Sequence, residues 1–179
     1  MRAPVTVHDA LARLIAYPRP GFAEAAEEWC ARVEAACPAA AEHLRPFVLY
    51  ANSISTEALE EKYTWTFDNS PDHALEIGWH VFGENYSRGA FLVRMRNLLD
   101  ELHLPEGTEL PDHITHLLAV LGRCEPEYAS KLVHASILPA VKKVADTLAS
   151  AGNPYADVLR ATAEVLATHD LPLTPGSPS

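Results

Sequence analysis

The sequence predicts an all-α fold, a single-domain bundle of roughly eight to ten helices. Apolar residues recur at three- and four-residue spacing along almost the whole chain, which is typical of one face of an α-helix. No segment alternates apolar and polar residues as a half-buried strand does, and no Asn-Gly pair marks a hairpin turn. With 179 residues, 48 % of them hydrophobic, the chain can bury a core without a disulfide or a metal.

The first four helices are predicted from apolar stripes bounded by caps and prolines. Thr6 is a suitable N-cap for the first helix, and the second stops near Pro38. A third is expected over about residues 39–51, and Ser55 or Thr56 starts a fourth. Their apolar stripes are, in chain order, Leu11, Leu14 and Ile15; Phe22, Ala25, Ala26, Trp29 and Val33; Leu44, Phe47, Val48 and Leu49; and Leu59, Tyr63 and Phe67.

The middle of the chain predicts three more helices. Asp72 opens the first of them, which stops at Gly83, and Ser87 caps its successor. Pro111 suits the first position of the third, where a missing N–H costs nothing. The stripes are Leu75, Ile77 and Trp79; Phe91, Met95, Leu98, Leu99 and Leu102; and Ile114, Leu117, Leu118 and Leu121.

Prolines also mark the last part of the chain. Pro126 opens a further helix, and Pro139 lies inside an apolar pattern, where we expect a kink or a restart. The pair Asn153-Pro154 caps and starts the last helix. The Pro- and Ser-rich residues 171–179 are expected to form a flexible tail, which leaves residues 1–170 as one helical domain.

Charge and cysteine content narrow the class of partner and the compartment. The formal net charge of −10 argues against binding to nucleic acid or to an anionic membrane surface, because both depend on clustered Lys and Arg. The three cysteines show no CxxC spacing, and no apolar run is long enough to span a membrane or to form a signal peptide. We therefore expect a cytoplasmic protein.

Common catalytic motifs are absent from the sequence. It has no GxSxG elbow and no glycine-rich phosphate loop. His113 and His116 are three residues apart and could share a metal with His80, so a metal-dependent hydrolase is one alternative. No HExxH pattern or companion cysteine supports that interpretation, and a pair of hydrogen-bonded histidines explains the spacing equally well.

Residues 74–95, ALEIGWHVFGENYSRGAFLVRM, concentrate large rings around three glycines in a chain that is only 8 % aromatic. Clustered amphipathic rings suit the binding of a partner. Core packing is the simpler interpretation for Phe82 and Phe91. Trp79, His80 and Tyr86 carry polar groups and could line a groove.

A second candidate element is Glu109-Leu110-Pro111-Asp112-His113. We expect Asp112 in the first turn of the following helix, where negative charge suits the helix dipole. There it could hold the His113 imidazole or offer a carboxylate to an Arg or amide of a ligand. A plain helix start is the alternative interpretation.

Several segments together resemble the assembly chaperones of molybdenum oxidoreductases, in particular the NarJ-like nitrate reductase delta subunits of the TorD/DmsD superfamily. These are residues 66–68 (TFD), residues 74–95, residues 109–123 (ELPDHITHLLAVLGR), LARLIAYP at residues 11–18, and the later ILPAV and NPY segments. The resemblance covers about residues 6 to 168.

The resemblance implies a cytoplasmic, all-helical chaperone without catalytic turnover. It implies binding to the N-terminal peptide of an apo catalytic subunit until the bis-guanine-dinucleotide molybdenum cofactor (bis-MGD) is inserted, with no cofactor retained by the chaperone. It places Glu109, Asp112 and His113 at the peptide groove, and Trp79 and His80 among the signature residues. We add Tyr86 to this predicted site, expect a monomer, and keep a helical adaptor unrelated to molybdenum enzymes as a further alternative.

Overall fold

A computed structural model describes residues 3–169, and within that range the chain is all-α. Its helices are α1 (Val5–Ile15), α2 (Phe22–Ala36), α3 (Pro38–Ser53), α4 (Thr56–Phe67), α5 (Ile77–Phe82), α6 (Tyr86–Glu101), α7 (Ile114–Arg123), α8 (Pro126–Leu132), α9 (Leu138–Ser150) and α10 (Tyr155–Ala167). A 3₁₀ turn (Pro71–His73) precedes α5, and a π turn (Val133–Ile137) joins α8 to α9. The predicted fold class is confirmed; the tail at residues 171–179 lies outside the described residues.

Helix α10 lies at the centre of the bundle. It packs against α3 and α9 and touches α1, while α1 also packs against α2 and α7. Its buried face includes Tyr155, whose ring meets Phe47 of α3 and both Tyr63 and Phe67 of α4. This ring cluster fixes the C-terminal end of α4 against the core. None of the helices in residues 3–169 is both long and apolar enough to cross a membrane.

Several predicted helix starts are wrong by a few residues. Helix α1 begins before Thr6, because the carbonyl of Pro4 already accepts the first helical hydrogen bonds. Asn85, and not Ser87, caps α6, with its side chain accepting from the Ser87 N–H at 3.1 Å. The predicted caps Ser55 and Asn153 are confirmed as side-chain acceptors.

Two further expectations in the middle of the chain need correction. Asp72 lies inside the 3₁₀ turn, which begins at Pro71, and Ala74, Leu75 and Glu76 separate this turn from α5. Leu49 is 72 % exposed, since it lies on the opposite face of α3 from the buried residues Phe47 and Val48. The apolar stripe of α3 is therefore narrower than the sequence pattern suggests.

Candidate functional site

Two backbone hydrogen bonds fasten together the two segments that the sequence singles out. The N–H of Ile77 donates to the carbonyl of Asp112 at 2.9 Å, and the N–H of Ile114 donates to the carbonyl of Leu75 at 2.9 Å. They form an isolated antiparallel bridge between loops that precede α5 and α7. The aromatic segment and the acidic segment thus form one structural unit, although the bridged residues Glu76 and His113 are 37 positions apart in sequence.

Asp112 lies beneath this bridge as a fully buried carboxylate. Arg88 of α6 donates from Nε to Asp112 Oδ2 at 3.2 Å, and its guanidinium carbon lies 5.7 Å from the ring centroid of Trp79. Burial raises the pKa of Asp112, whereas the charge of Arg88 and its hydrogen bond act in the opposite direction. Its Oδ1 atom has no hydrogen-bond partner among the described residues. Asp112 therefore holds Arg88 and, through it, the ring of Trp79.

Two expectations about Asp112 are wrong. It is not in the first turn of a helix, because α7 begins at Ile114 and Pro111 lies three residues before that start. It also does not hold the His113 ring. His113 is the N-cap of α7, and its Nδ1 accepts from the N–H of Thr115 at 3.3 Å.

His113 is nearly completely buried and uncharged at neutral pH. Burial, followed by the charge of His116, lowers the pKa of His113 to about 3. Because Nδ1 accepts a backbone hydrogen bond, the proton of the neutral ring is on Nε2. The residue can therefore offer a neutral donor to a bound group without adding positive charge.

A cavity of about 380 Å³ opens beside the bridge. One wall is the C-terminal end of α4 and the loop after it, and the other is the bridged strand-like segment with Glu109. The lining residues are Tyr63, Phe67, Asp68, Asn69, Ser70, Pro71, Ala74, Leu75, Glu76, Glu109 and His113.

The cavity is negatively charged over an aromatic floor. Its lining has three carboxylates, Asp68, Glu76 and Glu109, and contains no Lys or Arg. Burial raises the pKa of Glu76, and the charges of Asp112 and Glu109 add to that effect. Burial and the three carboxylates of the lining raise the pKa of Tyr63, which forms part of the floor. A basic side chain in the cavity would reduce the repulsion among these carboxylates and could lie over the rings of Tyr63 and Phe67.

Of the six predicted site residues, the structure brings Glu109 and His113 into the cavity. Trp79 and Asp112 are beside it, linked to each other through Arg88. His80 Nε2 donates to the carbonyl of Ala74 at 2.7 Å, so its ring braces the loop that borders the cavity.

Tyr86 stands apart from the cavity lining, as the first residue of α6. Its side chain is 93 % exposed and belongs to an outward face that continues with Val93, 56 % exposed. The predicted ring-lined groove is thus divided: the rings in the cavity come from α4, whereas Tyr86 is on an open surface.

Sequence reasoning missed the contribution of α4 and of Glu76. Tyr63 and Phe67 fit an apolar core stripe, and both are indeed buried, but they also line the cavity. The TFD segment (residues 66–68), which is part of the family resemblance, was a signal that could have identified Asp68 as a site residue. Glu76 carried no signal of its own, because its role comes from the bridge that turns it towards Glu109.

The three histidines considered as metal ligands make separate contacts. His116 Nδ1 donates to the carbonyl of Leu110 at 2.9 Å, while His80 and His113 have the partners described above. Across residues 3–169 there is no group of three or more His, Cys, Asp or Glu side chains placed to hold a metal ion. The hydrolase alternative therefore lacks a ligand set in this part of the chain.

Comparison with known proteins agrees with the resemblance seen in the sequence. The model of the family described as "Nitrate reductase delta subunit" matches residues 26–172. A curated protein of Bacillus subtilis (strain 168), named "Probable nitrate reductase molybdenum cofactor assembly chaperone NarJ", is 29 % identical over 153 residues, which cover 84 % of this chain and 83 % of the relative. Because the family match extends over most of the sequence, the chain belongs to the nitrate reductase delta subunit family.

Proposed function

We propose that this chain is an assembly chaperone for the apo catalytic subunit of a molybdenum oxidoreductase, nitrate reductase or a related enzyme. It binds the N-terminal segment of that subunit in the cytoplasm and keeps the subunit open until bis-MGD is inserted. It acts as a monomer, transforms no substrate and retains no cofactor. Family membership and the printed name of the Bacillus subtilis relative support the chaperone role.

The observation that carries the proposal is the acidic cavity beside the bridge. Three carboxylates surround a floor of two rings, and the neutral His113 adds a donor. Such a surface suits a peptide with a basic side chain next to an apolar one, because the charge meets carboxylates while the apolar group packs on the rings.

A chaperone must release its client as well as bind it, so we expect only moderate affinity for the client segment. Micromolar affinity corresponds to only about −8 kcal/mol, and ordering a flexible leader uses part of the gross contact energy. When the client folds around its cofactor, the segment is no longer available, and the equilibrium shifts towards the free chaperone.

Calorimetric titration with the N-terminal peptide of the catalytic subunit from the same host tests the site. We expect Glu109→Gln and Glu76→Gln to weaken binding, each by about two- to fivefold. Glu164→Gln is the matched control, since it removes an identical charge from an exposed position on α10. Equal affinity of all four proteins would exclude the cavity as the binding site.

A second experiment tests the role in assembly. Deletion of the gene should lower the molybdenum content of the purified reductase, and the wild-type gene should restore it. Fully metallated enzyme from the deletion strain would refute the proposal and leave the adaptor alternative.

A further inference from the structure

A second depression lies where α1 turns into α2. It has a volume of about 350 Å³ and is bordered by Arg13 of α1 and by Arg19 of the connecting loop. Tyr17, Phe22 and Trp29 supply its rings, and those of Phe22 and Trp29 meet edge to face at 5.5 Å. We name it the arginine cleft.

The two arginines of this cleft differ from the other arginines of residues 3–169. Six of the nine described arginines have a carboxylate within 4.0 Å, and Arg94 lies over the ring of Phe91. Within residues 3–169, Arg13 and Arg19 have neither a carboxylate within 4.0 Å nor an aromatic ring beneath the guanidinium group. In a chain with a net charge of −10, two unpaired guanidinium groups beside one depression form a local anion-binding surface.

The arginine cleft and the acidic cavity meet across one pair of rings. Tyr17 borders the cleft, Tyr63 borders the cavity, and their rings pack edge to face with centroids 5.3 Å apart. Tyr17 is 44 % exposed, so the boundary between the two depressions is open to a ligand. The surface thus changes from carboxylates to guanidinium groups over the width of two tyrosine rings.

We propose that the client segment lies across both depressions, with a basic residue in the acidic cavity, an apolar residue on the Tyr17–Tyr63 pair, and an acidic residue at Arg13 and Arg19. This inference rests on the proposed function and adds to it a requirement for both charge signs in the client. A purely basic peptide would meet repulsion at the cleft, and a nucleic acid would meet it at the cavity. An extended peptide advances only about 3.3 Å per residue, so a few residues cross the two tyrosine rings. A peptide with both charges can therefore place one in each depression.

The test uses two forms of the N-terminal peptide of the host catalytic subunit, one natural and one with every Asp and Glu replaced by Asn and Gln. At low salt the natural peptide should bind about fivefold more tightly. Arg13→Gln with Arg19→Gln should remove that difference and leave the affinity for the acid-free peptide unchanged or slightly higher. Arg45→Gln with Arg160→Gln is the control, because it removes the same charge from α3 and α10, which contribute no residue to the cleft.

The outcomes separate this inference from the proposed function. Equal binding of both peptides to the wild-type protein, or a natural segment without any carboxylate, would overturn the inference while the cavity remains the site. Inorganic phosphate that fills the cleft at low concentration without reducing peptide affinity would overturn it too, since the cleft would then serve a small anion. Failure of both peptides to bind would refute the proposed function itself.

Discussion

Asp112 occupies the space that a side chain on Gly78 would need. A Cβ atom at position 78 would lie 2.5 Å from Asp112 Oδ2 and 3.0 Å from Cδ1 of Phe91. The carboxylate is fixed by Arg88, and the ring is buried, so neither can move away freely. The absence of a side chain at Gly78 is therefore what lets α5 close onto the Asp112 loop.

Gly78→Ala should destabilise the protein by about 1–3 kcal/mol, which is usual for overpacking of a filled site. Urea unfolding followed by circular dichroism measures the change. Gly89→Ala is the matched control on α6, where a Cβ meets nothing within 4 Å. Because alanine is the better helix former, that variant should be more stable than wild type by roughly 0.5–1 kcal/mol. Equal effects of the two substitutions would contradict the close contact.

Replacing Arg88 alone should destabilise the protein more than replacing Arg88 and Asp112 together. Arg88→Met leaves the carboxylate of Asp112 buried without its cation, a loss of about 3–5 kcal/mol for a buried pair. Arg88→Met with Asp112→Asn removes the unpaired charge, so the double variant should recover part of that loss. A double-mutant cycle based on urea unfolding gives the coupling free energy between the two side chains. Additive losses would show that the two side chains do not act as a pair.

The stability of the protein should fall in acid partly because of His113. Its pKa is lowered to about 3 in the folded state, whereas the unfolded chain titrates near the ordinary 6.5. Protons therefore bind the unfolded state first, so the contribution of the neutral ring is complete above pH 6.5 and is lost progressively towards pH 3. At pH 5.5 the loss is about 1.4 kcal/mol.

His113→Asn keeps a capping side chain and removes this titration. The difference in unfolding free energy between wild type and variant should shrink between pH 7 and pH 5, because groups common to both proteins cancel. A difference that stays constant over this range would show that His113 is protonated normally in the folded protein.

A histidine pair connects the first helix to the end of the last. His8 Nδ1 donates to the carbonyl of Pro4 at 3.0 Å, so its Nε2 accepts from His169 Nε2 at 3.1 Å. His8→Leu leaves the buried donor of His169 without this acceptor and should cost about 1–3 kcal/mol. His43→Leu, at a half-exposed position on α3, should change the unfolding free energy by less than about 0.5 kcal/mol. Equal urea midpoints would refute a stabilising role of the pair.

Most of the fold follows from the spacing of apolar residues and from the positions of capping residues and prolines in the sequence. Apolar stripes such as Leu117, Leu118 and Leu121 are buried as predicted, since a helical period exposes one face and hides the other. Helix starts were less predictable. Several residues near each start can cap, and the one that does so at α6 is decided by the turn after Gly83.

The candidate site was only half predictable for a different reason. Glu109 and His113 belong to a local pattern, whereas Glu76 reaches the cavity through a backbone bridge that no side-chain pattern encodes. Burial of Asp112 was missed because a Pro-Asp-His run before an apolar stripe is also typical of an exposed helix start. Its partner Arg88 comes from another helix, and sequence spacing alone does not show that contact.

The π turn at Val133–Ile137 has a consequence for sequence changes in this region. There the N–H of Leu138 donates to the carbonyl of Val133, five residues back, so the winding contains one residue more than an α-helix would. Deleting one residue within this turn would let it rewind as an ordinary α-helix and would leave the residues that follow in their orientation. Val141, Val144 and Leu148 would keep their packing against α10, so this turn tolerates a one-codon deletion that would rotate the following residues by about 100° in an ordinary α-helix.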